Sequence, residues 1–497
     1  MVTTAEEWAN NVIKQDEIDK YLIDGEDFIN EDLIKRQLKE NQNPDAQRIR
    51  DIIQKSLEIE RLQPEETAAL LNVEDEELWQ EIYEGALKVK KKVYDNRIVT
   101  FAPLYCSNLC VNDCLYCGFR KNNENEERKI LSMDEIKEEA RNMVQEGHKR
   151  GIVVYGEHPA SDADYIADSM EAIYDVEVET ANSTACMRRV NINAAPMEIS
   201  ELKKLWEVGV GTYQVFQETY HRPTYQKVHP SGPKSDYQWR LYALHRAMEA
   251  GIDDVAIGAL FGLYDWKFEV MGMLYHTIDL ERQFDIGPHT ISFPRLKDAQ
   301  DASYISDTKY QVSDEELKKL VAVLRLSVPY TGLIITAREN PKVRRDVIQV
   351  GCTQTDASTR IGVGAYSKEY TKQEKKEQQF MLGDTRSLDT VIKEFAEMGM
   401  ITSFCTAGYR CGRTGKKIME LLEEGIEGKF CKLNAVLTFR EWLDDFASEE
   451  TKKAGEKVIK KEMKEIEQDP FFKKEGILDK FKNYYERIKN GERDLYI

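Results

Sequence analysis

Seven of the nine cysteines fall into two groups, at positions 106, 110, 114 and 117 and at positions 405, 411 and 431. The spacing of three cysteines in the first group is typical of a metal-cluster loop. Cys110, Cys114 and Cys117 stand in the order C-x3-C-x2-C. Three thiolates on one loop can ligate three irons of a 4Fe-4S cube and leave the fourth iron without a protein ligand. Such an iron can chelate the amino and carboxylate groups of S-adenosylmethionine (SAM) and pass an electron to its sulfonium. The loop therefore predicts a cluster that cleaves SAM.

A zinc site is the alternative for three clustered cysteines. Structural zinc normally closes with four ligands and usually draws on C-x2-C pairs, and this loop offers one such pair and three thiols. Disulfides are not expected, because the chain opens without a basic or apolar leader and we expect it in the cytoplasm, where thiols stay reduced. Cys106, four residues upstream, is expected to be a buried free thiol.

The composition excludes two classes of partner. The formal net charge is −19, from 89 acidic and 70 basic residues, and an acidic chain without a basic stripe repels phosphate backbones. No run of 18 apolar residues exists that could span a membrane. We therefore expect neither nucleic acid nor a membrane as a partner.

From about residue 97, short β-rich apolar runs alternate with amphipathic helical stretches. The predicted strands are 97–105, 151–157, 189–195, 211–218, 254–261, 290–296, 332–338 and 347–352. Strands that alternate with helices indicate parallel βα units, and eight of them predict an α/β fold, a TIM-type (β/α)8 barrel with its chemistry at the carboxyl ends of the strands. An open doubly wound sheet is the competing architecture, but no Gly-rich dinucleotide turn supports it.

The rhythm of the sequence divides the chain into three parts. Residues 1–95 are charged and helical in pattern and predict a helical N-terminal extension. Residues 96–384 form the predicted barrel. After about 385 the strand pattern stops, so residues 385–497 are expected to form a mainly helical C-terminal domain with a candidate second iron-sulfur site and an exposed charged tail.

Two positions near the first cysteine group fit a SAM site. Gly156-Glu157 ends the second predicted strand, where glycine permits close backbone approach and a carboxylate can accept hydrogen bonds from the SAM ammonium. Tyr116 precedes the last cysteine, so its neighbourhood could pack on the adenine; packing within the loop is the alternative role.

Longer runs carry a family resemblance. They resemble the tyrosine-lyase branch of the radical SAM enzymes, most closely the HydG-type maturases of iron-iron hydrogenase, which are related to the 2-iminoacetate synthase ThiH. The likeness extends from about residue 85 to 465. The runs are 189–193 (RVNIN), 213–221 (YQVFQETYH), 229–234 (HPSGPK), 258–266 (GALFGLYDW), 287–295 (GPHTISFPR) and 413–415 (RTG).

The resemblance implies a specific reaction. A 5′-deoxyadenosyl radical takes hydrogen from L-tyrosine, and the Cα–Cβ bond breaks to give p-cresol and dehydroglycine (2-iminoacetate). In HydG-type enzymes dehydroglycine goes on to carbon monoxide and cyanide at a second, C-terminal cluster. The implied partners are L-tyrosine, a low-potential electron donor such as ferredoxin or flavodoxin, and hydrogenase maturation proteins.

The resemblance also implies roles for residues at strand ends. Thr336 and Arg338 correspond to positions that grip the tyrosine carboxylate, which arginine can do with two parallel hydrogen bonds. An ion pair of Arg338 at the barrel rim, with Glu339 or a neighbouring residue, is the alternative. Asn193, Gln217 and Glu218 correspond to positions that hydrogen-bond to SAM or substrate, although they could equally support neighbouring residues.

The sequence departs from the family pattern near its C-terminus. The family motif there is C-x2-C-x22-C, and Cys405 and Cys431 keep the outer spacing while Gly408 stands in the middle. Either Cys411 substitutes, giving a rearranged set of three thiolates, or the second cluster is absent. Asp279 also stands where the family offers a histidine that is associated with the extra iron of the second cluster.

These departures leave two alternatives to a HydG-type lyase. A paralogue would cleave tyrosine to dehydroglycine without assembling carbon monoxide and cyanide. A non-catalytic iron-sulfur carrier or sensor is the alternative of a different class. The Gly156-Glu157 pair and Arg338 argue against a carrier, which needs no clamp for the SAM ammonium.

Overall fold

A computed structural model gives the fold and describes residues 4–299, 302, 304, 308–368, 378–413, 415–417, 421, 427–474 and 476–497. The strands within these ranges are β1 (Arg97–Ser107), β2 (Arg150–Tyr155), β3 (Glu177–Glu179), β4 (Thr184–Cys186), β5 (Arg189–Asn193), β6 (Tyr213–Gln214), β7 (Val255–Gly258), β8 (Thr290–Ser292), β9 (Gly332–Ile335), β10 (Gln354–Asp356) and β11 (Ile401–Ser403).

Helices surround these strands. The N-terminal part contains Ala5–Ala9, Asp16–Asp19, Glu31–Glu40, Ala46–Leu57, Pro64–Leu71 and Glu76–Tyr94. The middle contains Met133–Gln145, Ala163–Tyr174, Ile199–Val208, Arg222–Val228, Tyr237–Leu241, Ala243–Glu249, Trp266–Phe284, Asp314–Ser327 and Pro341–Val350. The last part contains Leu388–Glu397, Ala407–Arg410, Glu427–Asp445, Glu449–Gln468 and Ile477–Lys489.

The main sheet closes on itself. The parallel neighbours run β1-β2-β5-β6-β7-β8-β9-β10, and β10 pairs back onto β1 with Val99 opposite Gln354. All eleven residues of β1 are buried, as expected for a parallel strand covered on both faces. The predicted eight-stranded TIM-type barrel is confirmed.

The eighth predicted strand was placed wrongly. Residues 347–352 include the end of the helix Pro341–Val350, which begins after Asn340, whose side chain accepts a hydrogen bond from the Val343 amide. The true eighth strand, β10, reads Gln-Thr-Asp and is buried. An apolar pattern could not reveal it, because all three side chains are polar. Gln354 donates to Thr290, and Asp356 accepts from Thr359. Thr355, on the opposite face, accepts from Arg344 of the outer helix.

A further strand lies where none was expected. β11 follows the barrel and pairs in parallel with the first residues of β1, with Arg97 opposite Ile401 and Val99 opposite Ser403. The region after residue 385 is therefore joined to the barrel sheet at the amino end of β1.

The two ends of the chain pack against the barrel. The N-terminal extension is helical as predicted, and Ser56 donates to the Leu326 carbonyl at 2.8 Å. The C-terminal segment was expected to be an exposed tail, but it is docked: Phe481 and Ile488 are buried, and Arg493 pairs with Asp445 at 2.7 Å. Among the described residues, no helix has the length and apolarity that crossing a membrane requires.

Candidate active site

The first cysteine group lines a cavity at the carboxyl ends of the barrel strands. The loop leaves the end of β1, and Cys110, Cys114 and Cys117 all face this cavity, which holds about 1540 Å³ of atom-free space, part of it continuous with solvent. Burial raises the pKa of the Cys110 and Cys114 thiols, so negative charge there requires a compensating cation.

The spacing of the sulfur atoms bears on the zinc alternative. Within the described part of the chain, no three cysteine sulfurs lie within 4.8 Å of one another. One tetrahedral zinc ion with bonds of about 2.3 Å would hold its sulfurs roughly 3.8 Å apart. A cube spreads its ligands over three separate irons and does not require the sulfurs to lie this close together.

The backbone around Gly156 and the Asn112 side chain fix the loop. A Cβ at Gly156 would stand 2.1 Å from the Leu109 carbonyl oxygen, so this close approach requires glycine. The Val111 amide donates to the Glu157 carbonyl at 2.9 Å. The Asn112 amide donates to Glu157 Oε2 at 2.6 Å and lies 3.7 Å from the Cys110 sulfur. The cysteine loop and the end of β2 therefore form one unit.

The Glu157 carboxylate can accept a hydrogen bond from a cationic ligand. Its side chain is buried, and its Oε1 has no hydrogen-bond partner among the residues that the structure describes. Burial raises the pKa of Glu157, although Arg240, Asn112 and Lys234 oppose the shift. An unpartnered buried carboxylate oxygen is costly, and an ammonium group would satisfy it. The donor set therefore fits the amino group of SAM.

A second carboxylate in the cavity is already paired. Lys234 Nζ donates to Glu218 Oε1 at 2.8 Å, and Arg240 lies 3.5 Å from the same oxygen. Burial raises the pKa of Glu218, but these two cations lower it below its usual range. The Glu218 backbone has a φ of 68°, a conformation that non-glycine residues adopt at a cost. Sequence reasoning gave no role to Lys234, although it ends the 229–234 run, or to Arg240, which lies outside the quoted runs.

The other predicted cofactor residues occupy different surroundings. Asn193 lines the cavity at the end of β5. Tyr116 also lines it, with its hydroxyl 2.7 Å from His229 Nε2. Gln217 does not line the cavity, although Glu218 and Phe216 on either side do; its amide donates to the Tyr237 carbonyl at 3.4 Å.

Thr336 and Arg338 follow β9 and line the same cavity. The alternative partner of Arg338 is already occupied, since Glu339 accepts from Arg295 Nε at 2.9 Å and from Lys297 at 3.1 Å. The Arg338 guanidinium makes no hydrogen bond or ion pair within the described ranges, and it lies 3.2 Å from the Phe380 ring centroid. Burial lowers the pKa of Arg338, so an anionic ligand would be stabilised there.

The second cysteine group lies toward the opposite end of the barrel. Cys405 follows β11, which pairs with the first residues of β1, whereas Cys110 follows the last residue of β1. Burial lowers the pKa of Arg97, but the nearby sulfurs of Cys431 and Cys405 outweigh that effect and raise it. Since β1 has eleven residues, its two ends are about 33 Å apart.

Each cysteine of this group comes from a different element. Cys411 ends a single helical turn, and its amide donates to the Gly408 carbonyl at 3.1 Å. Cys431 lies on the helix Glu427–Asp445. Next to it, Lys432 pairs with three carboxylates that lie within 4.8 Å of one another, those of Asp95, Glu462 and Glu465.

The Asp279 side chain pairs with histidine and arginine side chains. Its carboxylate accepts from His245 Nε2 at 2.8 Å and from Arg282 Nη2 at 2.6 Å, and the adjacent His276 contacts the Tyr220 hydroxyl at 3.0 Å. These contacts account for the Asp279 carboxylate, and its bearing on a second cluster stays a prediction. His276 is a buried helix histidine with a hydroxyl partner.

Comparison with known proteins places these features in a family. The model of the radical SAM superfamily matches residues 104–273, and that of the biotin and thiamin synthesis associated domain matches residues 292–401. A crystal structure of HydG, a maturase of the [FeFe]-hydrogenase, is 46% identical, with a TM-score of 0.89 over 95% of this chain and 100% of that one. The chain belongs to the HydG family of radical SAM enzymes.

Other relatives agree with this assignment. HydG from Carboxydothermus hydrogenoformans is 36% identical, with a TM-score of 0.77 over 95% of this chain and 99% of that one. The 2-iminoacetate synthase of Escherichia coli (strain K12) is 27% identical over 350 residues, which are 70% of this chain and 88% of that one. As a radical SAM enzyme, the protein uses a 4Fe-4S cluster and SAM.

Proposed function

We propose that this enzyme cleaves the Cα–Cβ bond of L-tyrosine to p-cresol and dehydroglycine, in the manner of HydG, and supplies carbon monoxide and cyanide for [FeFe]-hydrogenase maturation. The observation that carries the proposal is the placement of Arg338. It faces the cavity that the three cysteines and Glu157 also line, and its guanidinium has no anionic partner among the described residues.

The predicted site residues that line the cavity then have separate roles. Cys110, Cys114 and Cys117 hold the cluster, which when bound supplies the electron that splits SAM into methionine and a 5′-deoxyadenosyl radical. Glu157 accepts hydrogen bonds from the SAM ammonium through its unpartnered oxygen. Asn193 and Glu218 lie on the cavity wall, where they can contact SAM or substrate.

Arg338 and Thr336 hold the amino acid. Two parallel hydrogen bonds from arginine fix the position of the substrate carboxylate. The attached α-carbon is thereby held in place relative to the cavity wall that carries Glu157. The apolar side of the cavity, with Leu260 and Phe216, shields the reacting groups from water. Orientation and dryness are what a primary radical requires in order to react with one chosen bond.

The test is an anaerobic incubation with SAM, dithionite and L-tyrosine. We expect release of both 5′-deoxyadenosine and p-cresol. 5′-Deoxyadenosine formed without p-cresol would show a radical SAM enzyme with another substrate. A carrier or sensor would form neither product.

A second candidate function follows from Gly408. This residue cannot ligate iron, so a paralogue that releases dehydroglycine without making carbon monoxide or cyanide fits the altered motif. Cys411 favours the full activity, because it lies one helical turn from Gly408 and can present a thiol from the same side. Formation of p-cresol without carbon monoxide and cyanide would establish the paralogue.

A further inference from the structure

One short segment contacts both halves of the cavity. Residues 378–384, the bridging segment, lie beside the cysteine loop at one end and beside the end of β9 at the other. At the cysteine loop, the Gly118 amide donates to the Gln379 carbonyl at 3.3 Å. A Cβ at Gly118 would stand 3.0 Å from that oxygen, so the absence of a side chain lets the segment lie against the loop.

The Gln379 side chain reaches a cluster ligand. Its Nε2 donates to the Cys117 sulfur at 3.5 Å, and its Oε1 accepts from the Tyr105 hydroxyl at 3.0 Å. The Tyr105 donor occupies the amide oxygen and leaves the NH₂ group toward the thiol. The opposite orientation would place an oxygen against a thiolate, which is repulsive. The amide is therefore set to donate to a ligated sulfur.

The next residue contacts the proposed substrate arginine. Phe380 packs its ring against the Arg338 guanidinium at 3.2 Å. The Gly383 amide donates to the Ala337 carbonyl at 2.8 Å, which attaches the bridging segment to the end of β9. Consecutive side chains thus touch the cluster loop and the arginine.

We propose that Gln379 is a positioning residue that raises the reduction potential of the SAM cluster by donating a hydrogen bond to Cys117. Reduction takes one electron from an external donor and leaves the cluster one unit more negative, with part of that charge on the sulfurs. A donor to a ligand sulfur stabilises the reduced form more than the oxidised form. The role of Phe380 in holding Arg338 rests on the proposed function, but the role of Gln379 does not.

The experiment is an EPR-monitored redox titration of the reconstituted holoenzyme without substrate, following the reduced signal that changes on addition of SAM. Gln379→Leu removes the donor and keeps the bulk of the side chain. We expect the reduction equilibrium to shift up to about tenfold toward the oxidised form, which is about 59 mV for a one-electron couple. Gln378→Leu is the matched control, since Gln378 is buried beside it but does not line the cavity.

A second variant tests the proposal if Gln379→Leu does not assemble the cluster. Tyr105→Phe leaves the amide in place but removes the hydroxyl that orients it, so we expect a smaller shift in the same direction. Equal potentials for the wild type and Gln379→Leu would overturn the proposal, and so would a shift of equal size in Gln378→Leu. If Gln379→Leu does not assemble the cluster, an unchanged potential in Tyr105→Phe overturns it as well.

Phe380→Leu separates this inference from the proposed function. We expect a raised KM for tyrosine and an unchanged cluster potential. Should another amino acid be the true substrate, the potentials of the Gln379 and Tyr105 variants would still shift, because they are measured without substrate.

Discussion

The two cysteine groups differ in how their ligands are brought together. The first group draws three thiols from eight consecutive residues, and Asn112 and Gly156 hold that loop against the end of β2. The second group draws its thiols from a strand end, a helical turn and a long helix. The first centre therefore depends on local geometry, whereas the second depends on the docking of separate elements.

Long-range contacts carry that docking. Lys432, beside Cys431, joins its helix to Asp95 at 2.6 Å and to Glu462 at 2.7 Å. Asn434, on the same helix, donates to the Ile497 carbonyl at 2.7 Å, and Arg413 donates to that oxygen at 3.1 Å. Loss of tertiary packing should thus disturb the second centre before the first.

The largest effect is expected when one thiolate ligand is removed from the first cysteine group alone. Cys114→Ala leaves a cube with two protein ligands, so we expect complete loss of SAM cleavage, measured as 5′-deoxyadenosine. Cys431→Ala is the matched variant and should retain 5′-deoxyadenosine and p-cresol formation. Retained cleavage in Cys114→Ala would contradict the whole assignment of the first group.

The next effect separates substrate binding from cluster chemistry. Arg338→Lys replaces a bidentate partner with a point charge, and we expect the KM for tyrosine to rise about 10- to 100-fold. Arg295→Lys, at the neighbouring strand end but paired with Glu339, should leave that KM nearly unchanged. Similar KM values in both variants would remove Arg338 from the substrate site.

The iron content of the reconstituted protein tests whether the second cysteine group also holds a cluster. We expect a difference of about twofold in bound iron between the two outcomes. If Cys411 replaces the missing ligand at position 408, reconstituted protein should bind about eight irons, and Cys411→Ala should lower this to about four. Cys186→Ala, a change at an isolated cysteine, should leave the content unchanged. A wild-type value near four would show that the second group holds no cluster.

The smallest effect concerns Glu269, a buried carboxylate that does not line the cavity. Burial raises the pKa of Glu269 to about 8, although Thr219 and the Tyr220 amide donate to it. The folded state therefore binds a proton that the unfolded state releases near pH 4.5, so this contribution to stability is lost as the pH rises from about 4.5 to 8. We expect Glu269→Gln to gain a few degrees in Tm relative to the wild type between pH 5 and 8.5. A constant difference in Tm across that range would contradict the raised pKa.

The sequence predicted the parts of the fold that are governed by short-range patterns. β1 and β2 were evident as apolar runs, and the C-x3-C-x2-C spacing indicated the cluster because all three ligands lie on one loop. β10 was missed because a barrel interior that is itself polar accepts Gln354 and Asp356. Gln379 was missed because its contact with Cys117 spans 262 residues and belongs to no motif.

Closure of the sheet by β10 against β1 has a consequence for biosynthesis. The partner of Val99 is Gln354, so the barrel remains open until about 250 further residues have left the ribosome, roughly 10–50 s at ordinary rates of synthesis. Cys117 is synthesised well before Gln354. For most of that interval the cysteine loop therefore exists without the part of the cavity wall that β10 completes. The cavity that the cysteine loop shares with the ends of β9 and β10 can therefore form only after Gln354 has been synthesised.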